Sequence, residues 1–194
     1  MKYEAKNFEN LLGLPGFSDN LLKNHFVLYQ GYVANTNKLS DQLAAYLKED
    51  KVAVPEYAEI KRRLGWEYDG MRLHELYFEN IGKNTSPISA GSELAAKINE
   101  TFGSLENWQK DFRATGAMRG IGWAVLYLDP LSKNIFNIWI NEHDTGHLAG
   151  AKPLLVMDVF EHAYLLDYGI KKADYIEAFL KVIDWAEAEK RFNK

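Results

Sequence analysis

Asp158-Val159-Phe160-Glu161-His162-Ala163-Tyr164 sets two potential metal ligands, Asp158 and His162, on either side of a second acid, Glu161. It follows the apolar run Leu154-Leu155-Val156-Met157, where a carboxylate is costly to bury without a cation or a hydrogen-bond partner. Several readings stand together at this point. A helical segment places Asp158 and His162, four apart, on one face. If Asp158 ends a strand, the following turn has to bring His162 back to it. Asp158 acting only as the cap of that turn is the plain structural alternative.

Working outward, residues 122–128, 135–140 and 154–158 read as strands, with Asp129-Pro130-Leu131-Ser132-Lys133-Asn134 as the turn between the first two. They predict a small antiparallel sheet. Two short helices are expected before it, over 93–102 and 105–115, with Ser104 capping the second. A closing helix is expected over 172–192, where Tyr175, Phe179, Val182, Ile183 and Ala186 recur at helical spacing. Near the start, Ser18 is the expected cap of a long helix from Asp19 to Ala45 or beyond, with His25, Tyr29 and Tyr32 on one face. Pro55 opens a second long helix through Met71, His74 and Tyr77, bent near Gly65 or Gly70. A short connection makes these two an antiparallel hairpin. The turn-forming stretch Asn84-Thr85-Ser86-Pro87-Ile88-Ser89-Ala90-Gly91 reads as the linker. The expected fold class is therefore α+β: an N-terminal helical hairpin domain, 1–86, followed by a C-terminal domain, 87–194, with a three-stranded antiparallel sheet flanked by helices.

The composition narrows the chemistry. With 194 residues, 47% of them hydrophobic, the chain can bury one good core. The absence of cysteine excludes disulfides, thiolate zinc sites, iron–sulfur clusters and a cysteine nucleophile, which leaves metal chemistry to His, Asp and Glu. A net charge of −4 offers no broad basic face, so no nucleic-acid partner is expected. No run approaches the ~18–20 apolar residues of a membrane span, and a cytoplasmic protein without a membrane partner is expected.

There are five histidines: His25, His74, His143, His147 and His162. His25 and His74 fall on the inward faces of the two long helices, which is how helical bundles present metal donors. Joined by Asp158 and His162 they make a set of three imidazoles and one carboxylate, suited to iron or manganese; zinc would be redox-silent.

The residues around 158–164 resemble the signature Asp-x-Trp/Phe-Glu-His-Ala-Tyr of the iron/manganese superoxide dismutases. Pro153-Leu154-Leu155 also fits, Gly120-Ile121-Gly122-Trp123-Ala124 resembles the family's Gly-Ser-Gly-Trp, Phe102-Gly103-Ser104 its Phe-Gly-Ser, and Ile183-Asp184-Trp185 its Val/Ile-Asn-Trp. The resemblance implies disproportionation of superoxide at one iron or manganese ion per subunit, with iron favoured. It implies His25, His74, Asp158 and His162 as metal ligands. An ungapped match puts Asn24 at the first of these positions; a first helix one residue shorter, lacking a π-bulge, puts His25 there.

By the same resemblance Tyr32 is the gateway tyrosine, Tyr29 takes the place of the gateway histidine, Trp123 walls the cavity, and Phe160 stands beside the metal. Gly70 occupies one origin of the family's outer-sphere amide, so His143, near the other, is the candidate partner of the metal-bound solvent; Tyr32 and His143 are the candidate catalytic residues. Glu161 implies a homodimer, reaching His162 of the partner subunit and the reverse. Leu165 replaces a tyrosine of that interface. Lys171 and Lys172 are candidates for attracting the anion, with an ordinary solvated pair as the alternative, and His147 is read as a surface residue without a role. Departures at Leu28, Tyr29, Gly70 and Leu165 motivate two rival readings: a metal oxidoreductase acting on another substrate, and a non-catalytic metal-binding dimer.

Overall fold

The computed structural model describes residues 2–194. Helix α1, Asp19–Lys48, is α-helical throughout and starts at Ser18, whose Oγ accepts the Leu21 N–H at 3.0 Å. Helix α2, Pro55–Glu79, opens on the proline, whose missing N–H is no loss in a first helical turn. The buried face of α1 carries Leu21, Leu22, His25, Phe26, Tyr29, Tyr32 and Val33; that of α2 carries Gly70, Met71, Leu73, His74, Tyr77 and Phe78. The hairpin therefore packs through the first half of α1 and the second half of α2. Both histidines lie in that packed stretch.

Helices α3, Glu93–Phe102, and α4, Leu105–Ala117, follow; the Ser104 Oγ accepts the Asn107 N–H at 3.1 Å. Strands β1, Gly122–Leu128, β2, Ile135–Asn141, and β3, Lys152–Asp158, form an antiparallel sheet in the order β2-β1-β3. All seven residues of the central β1 are buried. β3 begins earlier than the sequence pattern indicates. Pro153 belongs to it, opposite Tyr127 at a register shift, and proline is tolerated there because β3 is an edge strand.

The closing helix differs from expectation. It is two helices, α6 at Lys172–Lys181 and α7 at Trp185–Phe192, preceded by the single turn α5 at Leu165–Tyr168. The break has a local cause. Asp184 Oδ1 accepts the Ala186 N–H and Glu187 N–H, restarting the helix, while the Asp184 N–H donates to Asn80 O at 2.9 Å. Ile183 pairs with Ile81 as an isolated bridge and the Gly82 N–H bonds Val182 O, so this junction is fastened to the end of α2. Buried apolar residues from both sides of position 86 form one continuous core.

Candidate metal centre

His25 comes from α1, His74 from α2 and Asp158 from the last position of β3, and the turn Glu161–Ala163 carries His162 back toward that carboxylate. Asp158 thus ends a strand; the helical alternative does not apply. His25 Nε2 lies 3.1 Å, His162 Nε2 3.0 Å and His74 Nε2 3.6 Å from Asp158 Oδ2. The donor atoms of all four lie within 4.8 Å of one another. Asn24 points away, its amide bonded to Asn20 on the exposed side of α1.

The surrounding bonds aim these donors. His74 Nδ1 donates to Gly70 O at 2.6 Å, so Nε2 carries the lone pair; this buried atom has no hydrogen-bond partner among the described residues. Asp158 Oδ1 accepts the Phe160 N–H at 2.9 Å, which leaves Oδ2 to face the imidazoles. The turn cap and the inward-facing acceptor are thus two oxygens of one carboxylate. Tyr175 fixes the strand end as well, its hydroxyl donating to Asp158 O at 2.5 Å.

A cation fits this constellation. Donors about 2.1 Å from a common centre and at right angles lie about 3.0 Å apart, and wider angles give longer separations. The observed 3.0–3.6 Å spacings to Oδ2 suit such a centre. A cation would also give His74 Nε2 the partner it lacks. Among the described residues this is the one group of three or more His, Asp or Glu gathered so closely.

The electrostatics agree. Burial pushes the Asp158 carboxyl up, but the facing His162 and His25 rings overcome that and hold it below the ordinary carboxylate range. Burial lowers His25, against the pull of Asp158, and lowers His74 further, with His25 adding to the effect. An ionised Asp158 beside the neutral rings of His25 and His74 is the form in which these groups bind a metal.

Aromatic rings enclose the site. Trp123 and Tyr32 each lie 4.9 Å from His74, Phe160 lies 5.1 Å from His162, and Tyr77 lies 5.3 Å from His25. His143 sits behind this wall. Its Nδ1 accepts the Trp123 indole N–H at 3.1 Å, so the neutral ring carries its hydrogen on Nε2, which bonds the Tyr32 hydroxyl at 2.8 Å. The direction of the chain is fixed: Trp123 donates to His143, His143 to Tyr32, and the Tyr32 hydrogen is left to point elsewhere. Burial lowers His143 to about 4, which keeps the ring neutral.

The profile of the family described as iron/manganese superoxide dismutases, C-terminal domain, matches residues 90–191. The chain is 36% identical over 200 residues to the superoxide dismutase [Fe] of Aquifex pyrophilus, covering all of this chain and 92% of that protein. It is 35% identical over 181 residues to the superoxide dismutase [Mn] of Haloarcula marismortui, covering 93% and 87%. The superoxide dismutase [Fe] of Saccharolobus solfataricus is 36% identical over 171 residues, covering 86% and 80%. This chain belongs to the iron/manganese superoxide dismutases.

Against that family pattern the dismutase fold departs locally. Gly70 leaves room for the Tyr32 ring: a Cβ at Gly70 would stand 2.7 Å from Tyr32 Cδ1. Tyr29 does not face an entrance. It is fully buried, its hydroxyl donating to Glu75 Oε1 and accepting the Lys6 N–H, each at 3.0 Å, and burial pushes it up to about 12. Lys172 is already engaged, donating to Met118 O at 2.6 Å and lying over the Trp139 ring. His147, read as a surface residue, is exposed and still uses both ring nitrogens, bonding Tyr127 and His143 O.

Sequence reasoning passed over Tyr77, Tyr175 and Trp66. Tyr77, three residues after His74, had a helical signal. Trp66 packs 4.4 Å from His143 and shared α2 with His74. Tyr175 reaches Asp158 from a different helix, and no local pattern announces that contact.

Proposed function

We infer that this protein disproportionates superoxide at a mononuclear iron or manganese ion held by His25, His74, Asp158 and His162. Two superoxide ions and two protons give dioxygen and hydrogen peroxide, one superoxide being oxidised and the other reduced. The observation that carries the reading is the orphaned His74 Nε2 facing Asp158 Oδ2 and two further imidazoles inside an aromatic enclosure. When bound, the ion supplies reversible one-electron exchange.

The chain's own groups supply the rest. Asp158 offsets part of the ion's charge, and its fixing by Phe160 N and Tyr175 preserves the donor positions. The rings of Trp123, Phe160, Tyr32 and Tyr77 exclude bulk water, which strengthens electrostatic interactions within the site. Tyr32 is the proton donor of the pair. Burial raises its hydroxyl, Asp158 and Glu67 raise it further, and the Trp123–His143 chain occupies its oxygen as an acceptor, leaving its hydrogen available. His143 holds the proton of its Nε2 at the oxygen of Tyr32 and sets the orientation of that hydroxyl.

Iron is the ion favoured in this reading, although the donor set serves manganese equally. A homodimer is part of the proposal. Glu161 is exposed and its carboxylate has no hydrogen bond within the described residues, while His162, its side chain 27% exposed, uses only Nε2. Glu161 would bond His162 of the partner subunit across a two-fold axis, with Leu165 and Leu166, 47% and 56% exposed, beside it. The halves 1–86 and 87–194 are proposed as domains that share the metal. A cytoplasmic location is proposed on composition; among the described residues no helix is long and apolar enough to cross a membrane.

The test is reconstitution of metal-free protein with iron and with manganese, followed by metal analysis and measurement of superoxide removal. One ion per chain with activity is expected, with both lost in His74→Ala and in His25→Ala and kept in Asn24→Ala. Fully loaded protein without turnover would overturn the dismutase reading; metal retained by His74→Ala would overturn the ligand set.

A further inference from the structure

We propose that His147 is a positioning residue for His143, clamping the loop tip on which His143 is presented. The proposal rests on the place of His143 in the active site argued above. His143 is fully buried, yet it stands in a loop whose neighbours Asn141, Glu142, Asp144, Thr145 and Gly146 are exposed. The loop is closed at its base, where the Asn141 and Thr145 main chains pair and the Glu142 N–H bonds Ile121 O, but none of these bonds reaches the His143 backbone. Bonds to its ring from Trp123 and Tyr32 settle how the imidazole is turned, but they do not settle the depth to which the backbone carries it.

One side chain holds the His143 backbone. His147 Nε2 donates to His143 O at 2.8 Å, and among the described residues this is the one hydrogen bond made to the main chain of His143. A carbonyl only accepts, so Nε2 carries the hydrogen, and Nδ1 pairs with the Tyr127 hydroxyl at 2.7 Å. Both ring nitrogens are thereby committed, one to Tyr127 and the other to His143.

Strand β1 supplies both holders. Trp123 and Tyr127 are four apart on it and so lie on the same face, one gripping the His143 ring and the other gripping its backbone through His147. The chain must turn sharply to bring His147 against the His143 carbonyl, and Gly146 permits it: its φ is +108°, and a Cβ there would stand 3.0 Å from Trp139 O. Asp69, with Oδ2 3.8 Å from His147 Nε2, adds a contact from α2.

The experiment uses His147→Ala, His147→Gln and His147→Phe. In metal-free protein the Trp123 indole N–H resonance reports its bond to His143 Nδ1 without reference to turnover. In H147A this resonance should move upfield and its exchange with water quicken, while H147Q, which keeps a donor for His143 O, should restore it. In loaded enzyme H147A should lower kcat about 3- to 10-fold with metal content unchanged, a step further out and smaller than the 10–100-fold of groups bonded directly to metal ligands. An unaltered indole resonance in folded H147A would overturn the clamp. Should H147A not fold, His147→Phe, which keeps a ring but no donor for His143 O, decides by the same two readings, an unaltered resonance and kcat again overturning the clamp. Loss of the indole bond in a protein whose wild type shows no dismutation would leave the clamp standing and remove the functional reading instead.

Discussion

Replacing Gly70 by alanine sets helix propensity against packing at the active site. A Cβ at that position meets Tyr32 Cδ1 at 2.7 Å, Cε1 at 2.9 Å and Cγ at 3.2 Å. Carbon atoms in contact lie about 3.5–4.0 Å apart, so the ring has to withdraw by the better part of an ångström. Its surroundings resist that: the hydroxyl is bonded to His143 Nε2, His74 lies 4.9 Å away and Trp66 5.6 Å away. Alanine gains about 1 kcal/mol over glycine within a helix. Forcing an extra carbon into a packed core costs about 1–3 kcal/mol. The overlap wins, and G70A is expected to lose about 1 kcal/mol net and up to about 2. In a Tyr32→Ala background the obstacle is gone, so the same substitution should stabilise by up to about 1 kcal/mol. Urea melts of the four metal-free proteins close the cycle, and the sign reversal is the signature. Loaded G70A should also turn over more slowly, because the displaced Tyr32 loses its alignment with His143. A G70A protein as stable as wild type, or one whose loss persists without the Tyr32 ring, would refute the tight-approach argument.

The parts of the fold legible in the sequence were those specified locally. Ser18, Ser104 and Pro55 begin helices where they stand, since a cap or a proline acts on the next turn alone. β1 was legible for the same reason, a short apolar run between glycine and a turn. The break between α6 and α7 was hidden because Val182, Ile183 and Ala186 keep helical spacing across it. What interrupts the helix is a distant pairing, Ile183 with Ile81 and the Asp184 N–H with Asn80 O. The site divides in the same way. The place of Asp158 and His162 in one short segment limited their geometry to a few options. The burial of Tyr29 against Glu75 and Lys6, and the commitment of His147 to Tyr127, depend on where α2 and β1 lie in space, which spacing along the chain does not convey.

Glu161→Ala should weaken the proposed dimer, because it removes the same contact twice. Two charge-assisted bonds of ~1.5–3 kcal/mol each imply a dissociation constant raised about a hundredfold or more, read by sedimentation, and an unchanged constant would place the interface elsewhere. Acid should weaken the metal-free fold well before the carboxylates titrate. Burial lowers His143 to about 4 from an ordinary value of 6.5, so on acidification the unfolded chain takes up the proton first. The stabilisation is therefore complete above the unfolded value and is lost as pH falls toward the folded one. Between pH 7 and pH 5 His143 alone should remove about 2 kcal/mol. His25 and His74, also lowered by burial, act with the same sign, whereas Asp158, held below its ordinary value, contributes its loss only in stronger acid. Urea midpoints at the two pH values measure the difference. A metal-free protein equally stable at both would mean that these rings accept protons in the folded state, and the picture of His143, His25 and His74 held neutral by burial would fail with it.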